Sequence, residues 1–172
     1  TRKESSAASD VYKRQVMNEL AELLIEKGIT ISSVESFTVG NFATMLGSIP
    51  GISKVYKGSL ITYQSETKER LLSIDHALIE KYGVVSKKIA TLMCVNGKSI
   101  LDTDLCVSFT GNAGPNAMEG KPVGEVYIGI AYQDVVVYKL NLTGSRQEIA
   151  SKAVEFAKKK IIEKINENLK KN

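Results

Sequence analysis

The chain has 172 residues, 43% apolar and 24% charged, which suits one domain with a substantial core. No segment reaches the roughly 20 consecutive apolar residues of a membrane helix, and no secretory-type apolar stretch opens the chain. A cytoplasmic location with no membrane partner is therefore the default expectation. One histidine (His76) and two cysteines (Cys94 and Cys106) all but exclude a His/Cys zinc site. Both cysteines fall in apolar patterns and read as buried, reduced thiols.

The net charge of +4 is local: residues 158–172 hold six lysines against two glutamates, leaving the rest neutral on balance. Nucleic-acid binding calls for basic residues interleaved with aromatics on one face. A lysine-rich helical end reads instead as a solvated surface, so a nucleic-acid partner is disfavoured.

In chain order, residues 1–15 are polar, small and without hydrophobic period, and read as a non-native or disordered leader. A single domain is expected over 16–172. Val16, Leu20, Leu23 and Leu24 take helical spacing, and Lys27-Gly28 is a basic last turn with a glycine stop. Residues 29–34 alternate as a strand, 39–46 form a helix, and Ile49-Pro50-Gly51 breaks it. A strand is expected over 55–62 and short helices over 66–72 and 77–81. A longer helix over 86–100 is capped by Ser86. The apolar run 105–109 reads as a central strand, and 124–132 and 135–140 as a hairpin turning at Gln133-Asp134. Ser145-Arg146-Gln147-Glu148 is a capping box opening a helix to about Leu169. Interleaved helices and strands closed by a hairpin predict an α/β fold, a three-layer α/β/α sandwich with a mixed sheet.

In such sheets the ligand site lies beyond the carboxyl ends of the strands. Three strand ends carry polar or glycine-rich clusters: Glu35-Ser36-Phe37-Thr38-Val39-Gly40, Tyr63-Gln64-Ser65-Glu66-Thr67-Lys68 and Thr110-Gly111-Asn112-Ala113-Gly114-Pro115. Their convergence on one rim is the central expectation. Ser36, at a strand-to-helix turn, is a candidate nucleophile, with the amides of Thr38, Val39 and Gly40 as candidate oxyanion donors; the same serine or Thr38 serves equally as a helix cap. Lys68, in the first turn of a helix that Ser65 would cap, opposes the dipole and suits a general base, and Tyr63 could orient the proton. A solvent-facing lysine and a core tyrosine are the plain alternatives. The 111–114 loop could cradle an anion or simply turn, and Arg146 could meet a phosphate at its helix start or stand as a surface charge. His76 reads as a surface residue, which disfavours a serine–histidine mechanism. Glu35 has no carboxylate partner of the kind a glycosidase needs.

Together these motifs resemble the CinA C-terminal domain family, which includes the nicotinamide-nucleotide amidohydrolases. The resemblance rests on Glu35-Ser36-Phe37-Thr38-Val39-Gly40, Pro50-Gly51, Thr62-Tyr63 with Lys68, Gly83 with Ser86, Thr110 to Pro115, and Lys121-Pro122-Val123-Gly124, colinear over residues 16–157. It implies a five-stranded mixed sheet between two helical layers. It also implies metal-independent hydrolysis of the carboxamide of nicotinamide mononucleotide to nicotinate mononucleotide and ammonia, in pyridine nucleotide salvage and NAD metabolism, with no cofactor. Ser36 is then the nucleophile and Tyr63 and Lys68 its activating partners. On the same resemblance, Glu35, Thr110, Gly111, Ala113, Gly114 and Arg146 are expected to bind the nucleotide substrate. Homo-oligomerisation is left open.

Two departures stand out. Val39 replaces the first glycine of a Thr-Gly-Gly pattern, and Asn116-Ala117-Met118-Glu119-Gly120 replaces a more glycine-rich stretch. A positive φ at Val39 would be poorly tolerated, whereas a helical φ would crowd the pocket. The competing readings are a catalytically weakened nucleotide-binding module and a competence-associated, DNA-linked accessory protein.

Overall fold

The computed structural model describes residues 2–171, with side chains from residue 6 onward. A five-stranded sheet is built from β1 (Ile31–Glu35), β2 (Tyr56–Ile61), β3 (Leu105–Gly111), β4 (Glu125–Tyr132) and β5 (Asp134–Asn141). The spatial order is β2-β1-β3-β4-β5. β1 runs parallel to both β2 and β3, while β4 and β5 complete an antiparallel meander. The carboxyl ends of β1, β2, β3 and β5 therefore share one rim with the amino end of β4.

Side-chain alternation sorts the sheet into two faces. Leu105, Val107 and Phe109 of β3, with Val126, Ile128 and Ile130 of β4, pack against α1 (Arg2–Lys27), α2 (Asn41–Gly47) and α6 (Arg146–Leu169). Val34, Cys106 and Ala131 face the other layer, where α3 (Ser65–Leu72), α4 (His76–Tyr82) and α5 (Lys87–Leu101) supply Leu72, Ile79, Ile89, Met93 and Cys94. The three-layer α/β/α sandwich with a five-stranded mixed sheet is as expected. Every residue of β1 is buried, so its serines must be satisfied internally. Ser32 bonds Thr103 at 2.8 Å, and Ser33 donates to Glu35 at 3.2 Å.

Local signals read from the sequence recur in the structure. The Ser145/Glu148 capping box is formed in both directions, and Ser86 caps α5 through the Ile89 amide. Cys94 and Cys106 are buried and free, and burial pushes their thiols up to about 11 and about 12. His76 is exposed; Glu69 and Glu80 beside it raise its pKa. A short 3-10 turn, Ile52–Lys54, had no counterpart in the sequence reading.

Two expectations are corrected. Residues 2–15, expected as a non-native or disordered leader, are helical: α1 runs without interruption from Arg2. This stretch holds no proline or glycine, so nothing breaks the helix, yet Val11 and Tyr12 stay exposed because it has no continuous apolar stripe to dock. The lysine-rich end is not wholly solvated either. Lys158 is fully buried, bonded to Glu155 at 2.5 Å and to the Lys13 carbonyl at 3.3 Å, and Lys164 pairs with Asp134. Its lysine stems lie over apolar surface where α6 meets α1 and the hairpin. Among the described residues no helix is long and apolar enough to cross a membrane.

Candidate active site

Ser36 follows the last residue of β1, and its amide donates to the Phe109 carbonyl of β3 at 3.0 Å. That bond carries the β1–β3 pairing one residue past the strand and fixes the serine at the sheet's rim. The chain then turns sharply. The Val39 amide donates back to the Ser36 carbonyl at 3.2 Å, and the Asn41 amide to the Thr38 carbonyl at 3.0 Å. Val39 (φ +47°) and Gly40 (φ +83°) both lie in the left-handed region. Glycine takes that conformation freely, whereas a β-branched residue is strained in it. The amides of Phe37, Thr38 and Gly40 make no hydrogen bond among the described residues.

Glu35 is central to this turn, though not as a ligand contact. Fully buried, its carboxylate accepts from the Phe42 and Ala43 amides at 3.2 and 2.9 Å and from the Thr38 hydroxyl at 2.7 Å. It thereby satisfies donors at the start of α2 and complements the positive end of the helix. The expectation that Glu35 binds substrate is corrected: β1 turns its side chain onto the α2 layer, away from the cleft.

Lys68 lies behind the serine. Its side chain is only 1% exposed. Nζ donates to Ser36 Oγ at 3.1 Å, to the Thr62 carbonyl at 2.6 Å and to the Tyr63 carbonyl at 3.3 Å. The helical side chain leans back toward the amino end of α3, which delivers the amine to the end of β2. The cap of α3 is Gln64, one residue earlier than the sequence indicated. Loss of hydration on burial lowers the Lys68 pKa to about 8, the charge of Glu119 acting in the opposite sense. Roughly a tenth of the side chain is then neutral at pH 7, the form a general base requires.

Ser36 opens onto a cleft of about 560 Å³ whose walls include Phe37, Tyr63, Val84, Gly111, Gly114 and Arg146. The three rim clusters do meet there. Ala113 and Thr110 also line it, but the Thr110 hydroxyl is committed to the Val84 carbonyl at 2.6 Å. Arg146, projecting from the first turn of α6, spans the opening by donating to the Gly114 carbonyl and the Tyr63 hydroxyl. Tyr63 therefore touches the serine and the lysine through its main-chain carbonyl, at 3.4 and 3.3 Å, while its phenol belongs to Arg146. The expected proton-orienting phenol is corrected accordingly.

The expected oxyanion donors also change. The Val39 amide is occupied by the Ser36 carbonyl, and Val39 faces a separate hollow beside Asn41, Thr44 and Gln147. Its side chain does not crowd the serine cleft. Gly40 lines neither space; of the two unpaired amides that follow Ser36, Phe37 lines the serine cleft and Thr38 only the neighbouring hollow. Sequence reasoning missed Asn112 and Glu119. Asn112 accepts from the Gly114 amide at 2.9 Å and donates to the Asn116 and Lys121 carbonyls, so it shapes the loop from within. Its place inside the Thr110–Pro115 motif was the available signal. Glu119 accepts from the Val84 and Val85 amides at 3.0 and 3.2 Å. Among the described residues no group of three or more His, Cys, Asp or Glu side chains is placed to hold a metal ion.

The comparisons agree with this architecture. The CinA C-terminal domain family matches residues 13–165. A competence-damage inducible protein of Bacillus thuringiensis (strain Al Hakam) is 37% identical over 159 residues, covering 91% of this chain and 39% of the relative. One from Levilactobacillus brevis is 42% identical over 137 residues, covering 78% of this chain and 33% of its own length. The chain thus spans between a third and two fifths of these relatives. A crystal structure of a CinA superfamily protein from Klebsiella pneumoniae 700603 superposes with a TM-score of 0.88 at 24% identity, covering 90% of this chain and 98% of that one. One from Escherichia coli gives 0.85 at 25%, covering 87% and 88%. With the family model matched over residues 13–165, this chain belongs to the CinA C-terminal domain family.

Proposed function

We propose that this domain is a metal-independent amidase that hydrolyses the carboxamide of nicotinamide mononucleotide, with Ser36 as nucleophile and Lys68 as general base. One observation carries the reading: a buried lysine with a depressed pKa lies 3.1 Å from a serine hydroxyl at the floor of a nucleotide-sized cleft. A lysine kept for stability alone would favour its charged, paired form. This one meets only a hydroxyl and two carbonyls, the environment of an amine that exchanges a proton with the hydroxyl.

In the proposed sequence, neutral Lys68 takes the Ser36 proton as Oγ bonds to the carboxamide carbon. Negative charge developing on the carboxamide oxygen is met by the unpaired amide of Phe37, which lines the cleft beside Ser36. The Lys68 ammonium returns its proton to the leaving nitrogen, and ammonia departs. Water then attacks the acyl-serine, giving one proton through Lys68 back to Oγ; the acid released ionises to the carboxylate, and its proton goes to solvent or to the departed ammonia. Arg146, beside the glycine-lined wall, supplies a fixed positive charge for the ribose phosphate. The occupied Val39 amide and the separate hollow it faces argue against the weakened-module alternative, because the replacement does not enter the cleft.

Ammonia release from nicotinamide mononucleotide after treatment with a chelator is the direct assay. Ser36→Ala is expected to lower kcat by at least about 10³-fold while retaining nucleotide binding. Turnover by that variant at the wild-type rate would end the serine mechanism.

A further inference from the structure

The loop 115–121 forms the outer wall of the cleft, and a tight hairpin closes it. The Met118 amide donates to the Lys121 carbonyl at 3.2 Å and the Lys121 amide to the Met118 carbonyl at 2.8 Å. The two residues between them, Glu119 (φ +53°) and Gly120 (φ +70°), both adopt the left-handed conformation. Turns with two positive φ values favour asparagine, aspartate or glycine; a glutamate there is strained and needs a compensating contact.

The compensation is visible. Both Glu119 carboxylate oxygens accept hydrogen bonds, one from the Val84 amide and one from the Val85 amide. Gly83 makes room for them, since a Cβ at that position would stand 2.5 Å from Glu119 Oε2. From the other side the Thr110 hydroxyl holds the Val84 carbonyl. Val84 and Met118 both line the serine cleft. One carboxylate thus ties the loop to the α4–α5 connection across the cleft wall.

We propose that Glu119 is a positioning residue: its carboxylate latches the 115–121 loop onto Val84 and Val85 and holds the cleft wall in place. The inference deepens the amidase reading and rests on it for its kinetic part. Around Lys68 stand the Ser36 hydroxyl and the carbonyls of Thr62 and Tyr63. Among the described residues, Glu119 is the charged group that opposes the effect of burial on the amine. Its anion favours the ammonium form of Lys68, so removing the charge leaves more neutral amine at a given pH.

Glu119→Gly suits the turn and is expected to fold; Glu119→Gln keeps an acceptor but loses the charge. In Glu119→Gly the Val84 and Val85 amides should exchange hydrogen roughly tenfold faster or more, having lost charge-assisted bonds. In both variants the Lys68 ε-methylene NMR titration should move to lower pH. The alkaline-rising limb of kcat/KM should move with it, and KM for the nucleotide should rise roughly fivefold or more in Glu119→Gly. Unchanged exchange of the Val84 and Val85 amides in Glu119→Gly would overturn the latch, whatever the turnover and the Lys68 titration. If wild type releases no ammonia while both NMR effects appear, the latch stands and the amidase reading is what fails.

Discussion

At the scale of single residues, Lys68 couples stability to pH in a definite sense. Its folded pKa of about 8 lies below the ordinary 10.5, so the unfolded chain binds more protons between those values and stability gained from this group rises with pH across that window. Below pH 8 both states are protonated and the full burial penalty is present. Relative to Lys68→Met, wild type should gain about 3 kcal/mol between pH 8 and 10.5. Paired denaturant titrations at pH 7 and 10 would reveal it, and a pH-independent difference would refute a depressed lysine. The same group predicts a kcat/KM limb rising through about pH 8.

Val39 makes a second residue-scale case. Its side chain is 58% exposed at a φ of +47°, so glycine would lose little burial and remove strain of about 1–2 kcal/mol, less about 0.5–1 kcal/mol of added unfolded-chain entropy. Val39→Gly should raise Tm by roughly 2–4 °C and leave KM unchanged, because the side chain lies outside the cleft. A lower Tm in differential scanning calorimetry would show that the valine is not strained.

At the scale of elements, the rim was legible because each motif sits where a strand stops. Alternation located β1 and a continuous apolar run located β3, and the rule for open α/β sheets sent the strands' carboxyl ends to one edge. What each side chain does there was not legible. Glu35 belongs to the same motif as Ser36, yet successive strand residues point to opposite faces and the turn redirects the chain between them. One faces the cleft and the other buries itself under α2. Glu35→Ala would leave several buried donors without acceptors, and a loss of about 3 kcal/mol, or roughly 6–12 °C in Tm, is expected. A variant that unfolds at the wild-type temperature would refute the capping role. Likewise Tyr63 meets Ser36 and Lys68 through its carbonyl rather than its phenol, and main-chain contacts have no residue-type signature.

At the scale of the whole molecule, two apolar layers clasp the sheet, and the caps at Ser86 and Ser145 marked the starts of α5 and α6, one helix in each layer. The helical extension of α1 through residues 2–15 was missed because the periodicity that marks a packed helix is absent there, although nothing in those residues forbids helix. The burial of Lys158 against α1 was missed because it depends on residues 145 positions apart. The sequence alone determined the element order, the layered architecture and the motifs gathered at the rim, since these follow from local hydrophobic period, caps and turn residues. Only the tertiary structure decided that an amine from α3 would reach a hydroxyl from β1, that Arg146 would span the opening to Tyr63, and that Glu119 would close the wall. Those outcomes depend on desolvation and on angstrom-scale distances between segments far apart in the chain, and no local pattern encodes them.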